Sequence, residues 1–214
     1  MCSEQTRCTG EFIDVHDQLR SYCEVLDLLR RVESSGCLKD YFNGGNTSGR
    51  LLFQVFSSEF VSQLAHLIND ALSVFCMNGP VLEVMSGDGT LTEMLRPLLK
   101  RDIIATDAKS SGYRIEYPKW VRTMDALDAV ETYSPSFVVA CWEPYLCAAG
   151  LRIAERGLPL AWIGERPMCG HPELFDIEHI RAGSPYAIGR HDSILRCEFR
   201  TDIYLFNVDK PTDA

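Results

Sequence analysis

Between Phe12 and Val32 apolar residues recur at Val15, Leu19, Tyr22, Leu26 and Leu29, in steps of four and three. That spacing predicts one stripe of an amphipathic helix, with Asp17, Arg20, Asp27, Arg30 and Glu33 largely opposite and Gly36 as its end. Asp40 to Arg50 is rich in Gly, Asn and Ser and reads as a loop. A second helix is expected from Ser57 to Phe75, where Phe60, Val61, Leu64, Leu67, Ile68, Ala71 and Leu72 share a face before Asn78-Gly79 breaks the pattern. From Pro80 the grammar changes to short apolar runs alternating with helical stretches. Strands are predicted at Val81–Met85, Asp102–Asp107, Trp120–Met124, Ser136–Trp142 and Pro159–Gly164, and helices at Leu91–Leu99, Ala126–Tyr133, Leu146–Arg156 and Pro172–Ile180. Such alternation indicates a parallel sheet with helices on both faces. Two last apolar runs, SILRCEF and DIYLFNV, stand so close together that they predict a closing antiparallel hairpin. The expected organisation is a helical extension over residues 1–56 and an α/β domain over 57–214.

Length and charge narrow the functional classes. The chain has 214 residues, enough for one well-cored domain and a small appendage. No apolar run reaches the roughly 18 residues of a membrane span, and the N-terminus lacks the basic and apolar regions of a signal peptide. Nine cysteines occur singly, without a Cys-x-x-Cys pair, which predicts reduced thiols and a cytoplasmic location. The formal charge of −9 disfavours nucleic acid as a substrate, since phosphate binding needs a basic surface.

The densest chemical signal is VLEVMSGDGTLTEML, residues 81–95. A strand runs into Ser86-Gly87-Asp88-Gly89 and a helix follows at once. Glycines permit a tight turn and let a ligand approach the backbone, and the helix start offers unpaired N–H groups. A second strand ends in Asp107, an acid suited to accept hydrogen bonds from ribose hydroxyls. Asp125 ends the third.

These features resemble the class I S-adenosylmethionine-dependent methyltransferases. LEVMSGDG is similar to their first motif, an acid followed by x-Gly-x-Gly-x-Gly: Glu83, Gly87 and Gly89 match, and Met85 stands in place of the first glycine. More narrowly, E-x-M-x-G-x-G with a W-x-P-Y motif and a strand ending I-G-E resembles a poorly characterised methyltransferase-like group. The resemblance spans roughly residues 81–208. It implies a Rossmann-like, mostly parallel seven-stranded sheet, S-adenosylmethionine as cofactor, and Glu83, Met85, Ser86, Gly87, Asp88, Gly89, Asp107, Ala108, Asp125, Ala126 and Trp142 around it. A third glycine of the dinucleotide pattern is absent, and Glu83 is repulsive to a pyrophosphate but suited to the methionine ammonium, which favours S-adenosylmethionine over NAD.

CWEPY, residues 141–145, lies where the family's fourth motif lies. Trp142 takes the place of the usual Asn or Asp, and an indole donates but does not accept a hydrogen bond. Glu143 is therefore expected to meet the acceptor as its base, with Trp142 and Tyr145 attracting the sulfonium. The alternative is that both rings pack the strand end and Glu143 faces water. Glu165 is a candidate pocket residue and His191 a candidate base. Cys169, His171, His179 and His191 are ligand types whose spacing fits no zinc pattern, so no metal is expected. In the family it resembles, segments ahead of the glycine turn often form a lid, which residues 1–56 with Tyr22, Tyr41, Phe42 and Asn43–Gly49 would suit; the first helix suits either core packing or a homodimer contact. The reading is a methyltransferase for an unknown small-molecule or protein acceptor. A non-catalytic module with the same fold, and more weakly an NAD-dependent oxidoreductase, stand as alternatives. Generic duplex or single-stranded nucleic acid should show negligible affinity at physiological salt, and a tight, salt-sensitive gel shift would overturn that expectation.

Overall fold

The computed structural model describes residues 11–74, 78–110 and 112–208. The chain forms α1 (Tyr22–Ser34), α2 (Leu38–Phe42), β1 (Gln54–Val55), α3 (Ser58–Val74), β2 (Val81–Val84), α4 (Thr90–Leu95), β3 (Ile103–Asp107), β4 (Arg122–Thr123), α5 (Ala126–Tyr133), β5 (Phe137–Cys141), α6 (Ala149–Glu155) and β6 (Leu160–Gly164). A 3-10 turn (Pro172–Asp176), β7 (His179–Arg181), β8 (Ile188–Gly189) and β9 (Asp202–Phe206) complete it. Among the described residues no helix is long and apolar enough to cross a membrane.

A seven-stranded sheet runs in the order β4-β3-β2-β5-β6-β9-β7. The first five strands are mutually parallel, and β9 lies antiparallel between β6 and β7. The mixed α/β class and the mostly parallel sheet are therefore as expected, but the closing hairpin is not. The partner of β9 is β7, which lies in the stretch expected as a helix. Pro172 starts only a short 3-10 turn, because Ile177 already adopts extended backbone and releases the chain into β7. Ser193 and Glu198 instead bridge each other within the SILRCEF run.

Both faces of the central strands are buried, which is why they read as unbroken apolar runs rather than alternating ones. On one face α3 and α4 pack Phe60, Leu64, Ile68 and Leu91 over Val81, Phe137 and Val139. On the other, α5 and α6 pack Ala129 and Ile153 over Leu82, Val138 and Trp162. Trp162 is wholly buried, and its replacement by alanine would cost about 3–5 kcal/mol.

The N-terminal part builds a third core. The first helix is shorter than expected: Ser21 caps it with a capping box to Glu24, so it begins at Tyr22. Val15, Val25, Leu28, Leu29 and Val32 pack with Tyr41, Phe42, Leu52 and Val55, and with Ile188 and Ile194 from the far end of the chain. The buried face of α1 is Val25, Leu28, Leu29 and Val32; of the expected stripe Val15 and Leu29 are buried, Tyr22 and Leu26 half-buried and Leu19 exposed. Arg20, expected on the polar side, is buried and donates to the carbonyls of Val15 and Gln18. The expected loop at 40–50 opens with the last turn of α2. β1 pairs antiparallel with β8, Gln54 opposite Gly189 and Val55 opposite Ile188. Five described cysteines are free, whereas Cys37 is disulfide-bonded, which corrects the expectation of uniformly reduced thiols.

His16 ties the N-terminal segment to β1. Its Nε2 accepts the Phe56 N–H at 3.0 Å and its ring stacks on Phe56 at 4.7 Å. Burial pulls its pKa down to about 4. The unfolded chain therefore binds a proton between about pH 6.5 and 4 that the folded one refuses, so this contribution is full above pH 6.5 and is lost on acidification. The expected slope is about 1.4 kcal/mol per pH unit across that window. His16→Gln should flatten it, and an unchanged melting profile from pH 7 to 4 would contradict the assignment.

Candidate functional site

Parallel register decides which side chains meet. Val84 lies opposite Thr106 on β3 and Ala140 on β5, and Cys141 lies opposite Ile163 on β6. Continuing that register by one or two residues brings Asp107, Ser86, Trp142 and Glu165 to the carboxyl edge of four neighbouring strands. The strand order reverses there, between β2 and β5, and open α/β sheets bind ligands at such switch points.

The glycine turn is held from below and from the side. Met85 and Gly87 take positive φ, 54° and 57°. The Gly87 N–H donates to Asp107 Oδ2 at 2.9 Å, and the Lys109 N–H to Asp107 Oδ1 at 2.6 Å. Asp107 thus fixes the turn, and each of its carboxylate oxygens keeps a second lone pair. A Cβ on Gly87 would meet nothing within 4 Å, so this backbone borders open space. Gly89 differs: a Cβ there would lie 2.3 Å from the Trp120 ring, so it serves packing. Ser86 Oγ is buried without a hydrogen-bond partner among the described residues. Asp88 accepts from the N–H and hydroxyl of Thr90 and pairs with Arg50, whose Nε also binds the buried Asp14 at 2.8 Å. Arg50 clamps the N-terminal segment onto the turn.

Glu83 does not reach the edge. It is 1% exposed, accepts the Thr92 hydroxyl from α4, and burial raises its pKa to about 8. A carboxyl group sealed in this way is unsuited to meet an ammonium ion. Asp125 caps α5, accepting the Leu127 N–H at 2.9 Å, and is exposed beside the buried Ala126, with Ala108 exposed on the next loop.

Glu143 also departs from its expected place. It is 1% exposed and accepts the Gly150 N–H at 2.8 Å and the Trp162 indole N–H at 2.9 Å. A Cβ on Gly150 or Gly170 would lie 2.6 or 2.9 Å from its Oε2, so two glycines make room for the carboxylate. Burial raises its pKa. Glu143 joins β5, α6 and β6 from within rather than meeting an acceptor. Tyr145 is 65% exposed. Trp142 does stay at the edge: its φ is 57°, its N–H donates to Gln54 Oε1 of β1 at 2.8 Å, and its ring lies near Phe53 and His191.

The rest of the rim was not legible from spacing. Phe53 stacks edge-on against Tyr113 at 5.4 Å and lies under the Arg190 guanidinium at 4.8 Å. Glu165 is 2% exposed on its side chain and meets His191 Nδ1 at 2.8 Å. Both residues were candidates separately, but 26 positions divide them and no motif joins them. His179 instead packs against Phe175 and its Nδ1 lies 2.7 Å from the Ile177 carbonyl. Among the described residues no three His, Cys, Asp or Glu side chains form a metal-sized group. An open groove lined by Gly79, Pro80, Asp102 and Arg122 lies at the opposite, amino edge and holds none of these candidates.

No protein-family model matches the chain, and no curated protein matches it, so the geometry carries the reading.

Glu83 itself is testable. Its folded pKa stands above the unfolded value, so the folded state holds an extra proton between about pH 4.5 and 8 and stability falls as pH rises through that window. Glu83→Gln, which stays neutral, should raise the melting temperature by several degrees at pH 8 and change little at pH 4. An effect of the opposite sign would overturn the buried-acid assignment.

Proposed function

We propose that the chain is a Rossmann-like class I S-adenosylmethionine-dependent methyltransferase acting on a small-molecule or protein acceptor. The observation that carries this reading is the joint between the first two central strands: Gly87, bordering open space, hydrogen-bonded through its N–H to the acid that ends the neighbouring strand. It is supported by a sheet that departs from the all-parallel dinucleotide-binding order, with antiparallel β9 where a sixth parallel strand would lie.

The residues present fit the cofactor, with one exception. Asp107 offers carboxylate lone pairs for ribose hydroxyls, and the partnerless Ser86 hydroxyl offers a donor and an acceptor at the turn. Asp125, Ala126 and Ala108 border the same edge. Glu83 is the exception, and the ammonium group must be met by other polar atoms. When bound, the cofactor supplies an electrophilic methyl group on sulfur. Trp142 would present a ring face to that positive charge. Phe53 and the β1–β8 pair lie beside the same edge, and alignment would supply most of the rate.

Isothermal titration with S-adenosylhomocysteine tests the reading. Binding in the micromolar range is expected, lost on Asp107→Ala and on Gly87→Val, with melting temperature followed as the control for folding. No binding by the wild type, or undiminished binding by a folded Gly87→Val, would overturn it. Tight binding of NAD in its place would favour the oxidoreductase reading.

A further inference from the structure

Resting on the methyltransferase reading, we propose that His191, oriented by Glu165, is the proton acceptor of this site, and that the group it serves is the hydroxyl of an aromatic small molecule.

The geometry is that of a buried carboxylate holding an imidazole by one nitrogen. Glu165 follows β6 directly, so the sheet sets its position. Its Oε2 lies 2.8 Å from His191 Nδ1, and its Oε1 lies 3.6 Å from Arg200 Nη1. The His191 side chain is 37% exposed, and among the described residues its hydrogen bond is made through Nδ1. A carboxylate accepts, so Nδ1 carries the proton and the Nε2 lone pair points away from Glu165, free to take another. The turn that carries His191 is fixed on both sides. Gly189 pairs with Gln54, and the Arg190 N–H donates to the Phe53 carbonyl at 2.9 Å. Asp192, 3% exposed, accepts the Gly189 and Arg200 N–H groups, each at 2.7 Å. The charged groups around the imidazole are therefore Glu165, Arg200, Asp192 and Arg190. The His191 and Trp142 rings stand 5.5 Å apart, which puts the imidazole at the strand end next to the switch point.

The chemistry selects the acceptor. A neutral amine already carries a free lone pair and needs its N–H groups held by acceptors. Here Trp142 is a donor engaged with Gln54, and Glu143 is turned inward. A hydroxyl needs the reverse, a base that takes its proton as it attacks. The rim is aromatic, with Trp142 beside the imidazole, Phe53 against Trp142 and Tyr113 against Phe53, and suits a planar ring. In the step, the acceptor oxygen forms its bond to the methyl carbon while His191 Nε2 takes the hydroxyl proton. The carbon–sulfur bond breaks with its electron pair left on sulfur, which becomes a neutral thioether. His191 then passes the proton to water through its exposed side.

Two measurements on the full chain test this apart from turnover. Long-range 1H–15N spectra of the imidazoles, with His191→Ala for assignment, should show neutral His191 protonated on Nδ1. In Glu165→Gln that preference should weaken. A neutral form protonated on Nε2 would overturn the dyad. The second probe is 4-nitrophenol in the presence of S-adenosylhomocysteine, since its ionisation is visible by absorbance. In the wild type its ionisation midpoint should fall by about one pH unit as the proton moves to His191, and in His191→Ala it should not. Absence of binding, or equal midpoints in both proteins, would overturn the hydroxyl acceptor. With a methyl donor present, His191→Ala should lower turnover of a phenol at least about 100-fold while S-adenosylhomocysteine affinity stays within about twofold. If S-adenosylhomocysteine fails to bind at all, the methyltransferase reading falls, and the tautomer measurement still decides the dyad.

Discussion

The parallel register of β2 between β3 and β5 is the constraint on which the rest depends. Parallel strands need long crossovers, and those crossovers bury both faces of the sheet under helices. The side chains of β2 and β5 therefore have no route to solvent within the strands. The candidate site residues emerge at the carboxyl ends, and the register sets which of them are neighbours. Asp107, Ser86, Trp142 and Glu165 come from four strands and from positions spread over 80 residues. They align because backbone ladders align them.

Around that edge the fold buries several acids and answers each differently. Glu83 stays neutral and accepts a hydroxyl. Glu143 is met by two N–H donors from other elements. Glu165 is met by an imidazole and, farther off, a guanidinium. Burying an unpaired carboxylate is costly, so each environment supplies donors or removes the charge. Of these three, only Glu165 meets a side chain that is itself open to solvent, which separates it from the two that serve packing.

The N-terminal segment is bound to the edge rather than appended to it. Arg50 reaches the glycine turn, Gln54 holds the Trp142 indole, and β1 pairs with β8 just ahead of His191. Its core contains Ile188 and Ile194 from the far end of the chain. Any change that loosens this segment reaches the turn, the indole and the imidazole together.

Local pattern alone determined the helices at α3 and α5 and the five parallel strands: each helix buries one face on the sheet, and the central strands, covered on both faces, read as unbroken apolar runs. It also located the glycine turn and Asp107, since a strand, a tight turn and a terminal acid are local in sequence. It misplaced β7, expected in a helix, because three residues pairing with a strand more than 20 positions away carry no period of their own. It expected Glu143 at the acceptor because adjacency to Trp142 was visible, whereas Gly150 and Gly170, which open the space beneath β5, were not readable as its neighbours. The Glu165–His191 contact and the Arg50 clamp were decided by tertiary structure alone. Each joins residues from different layers, and only the packing of those layers brings their charges within reach.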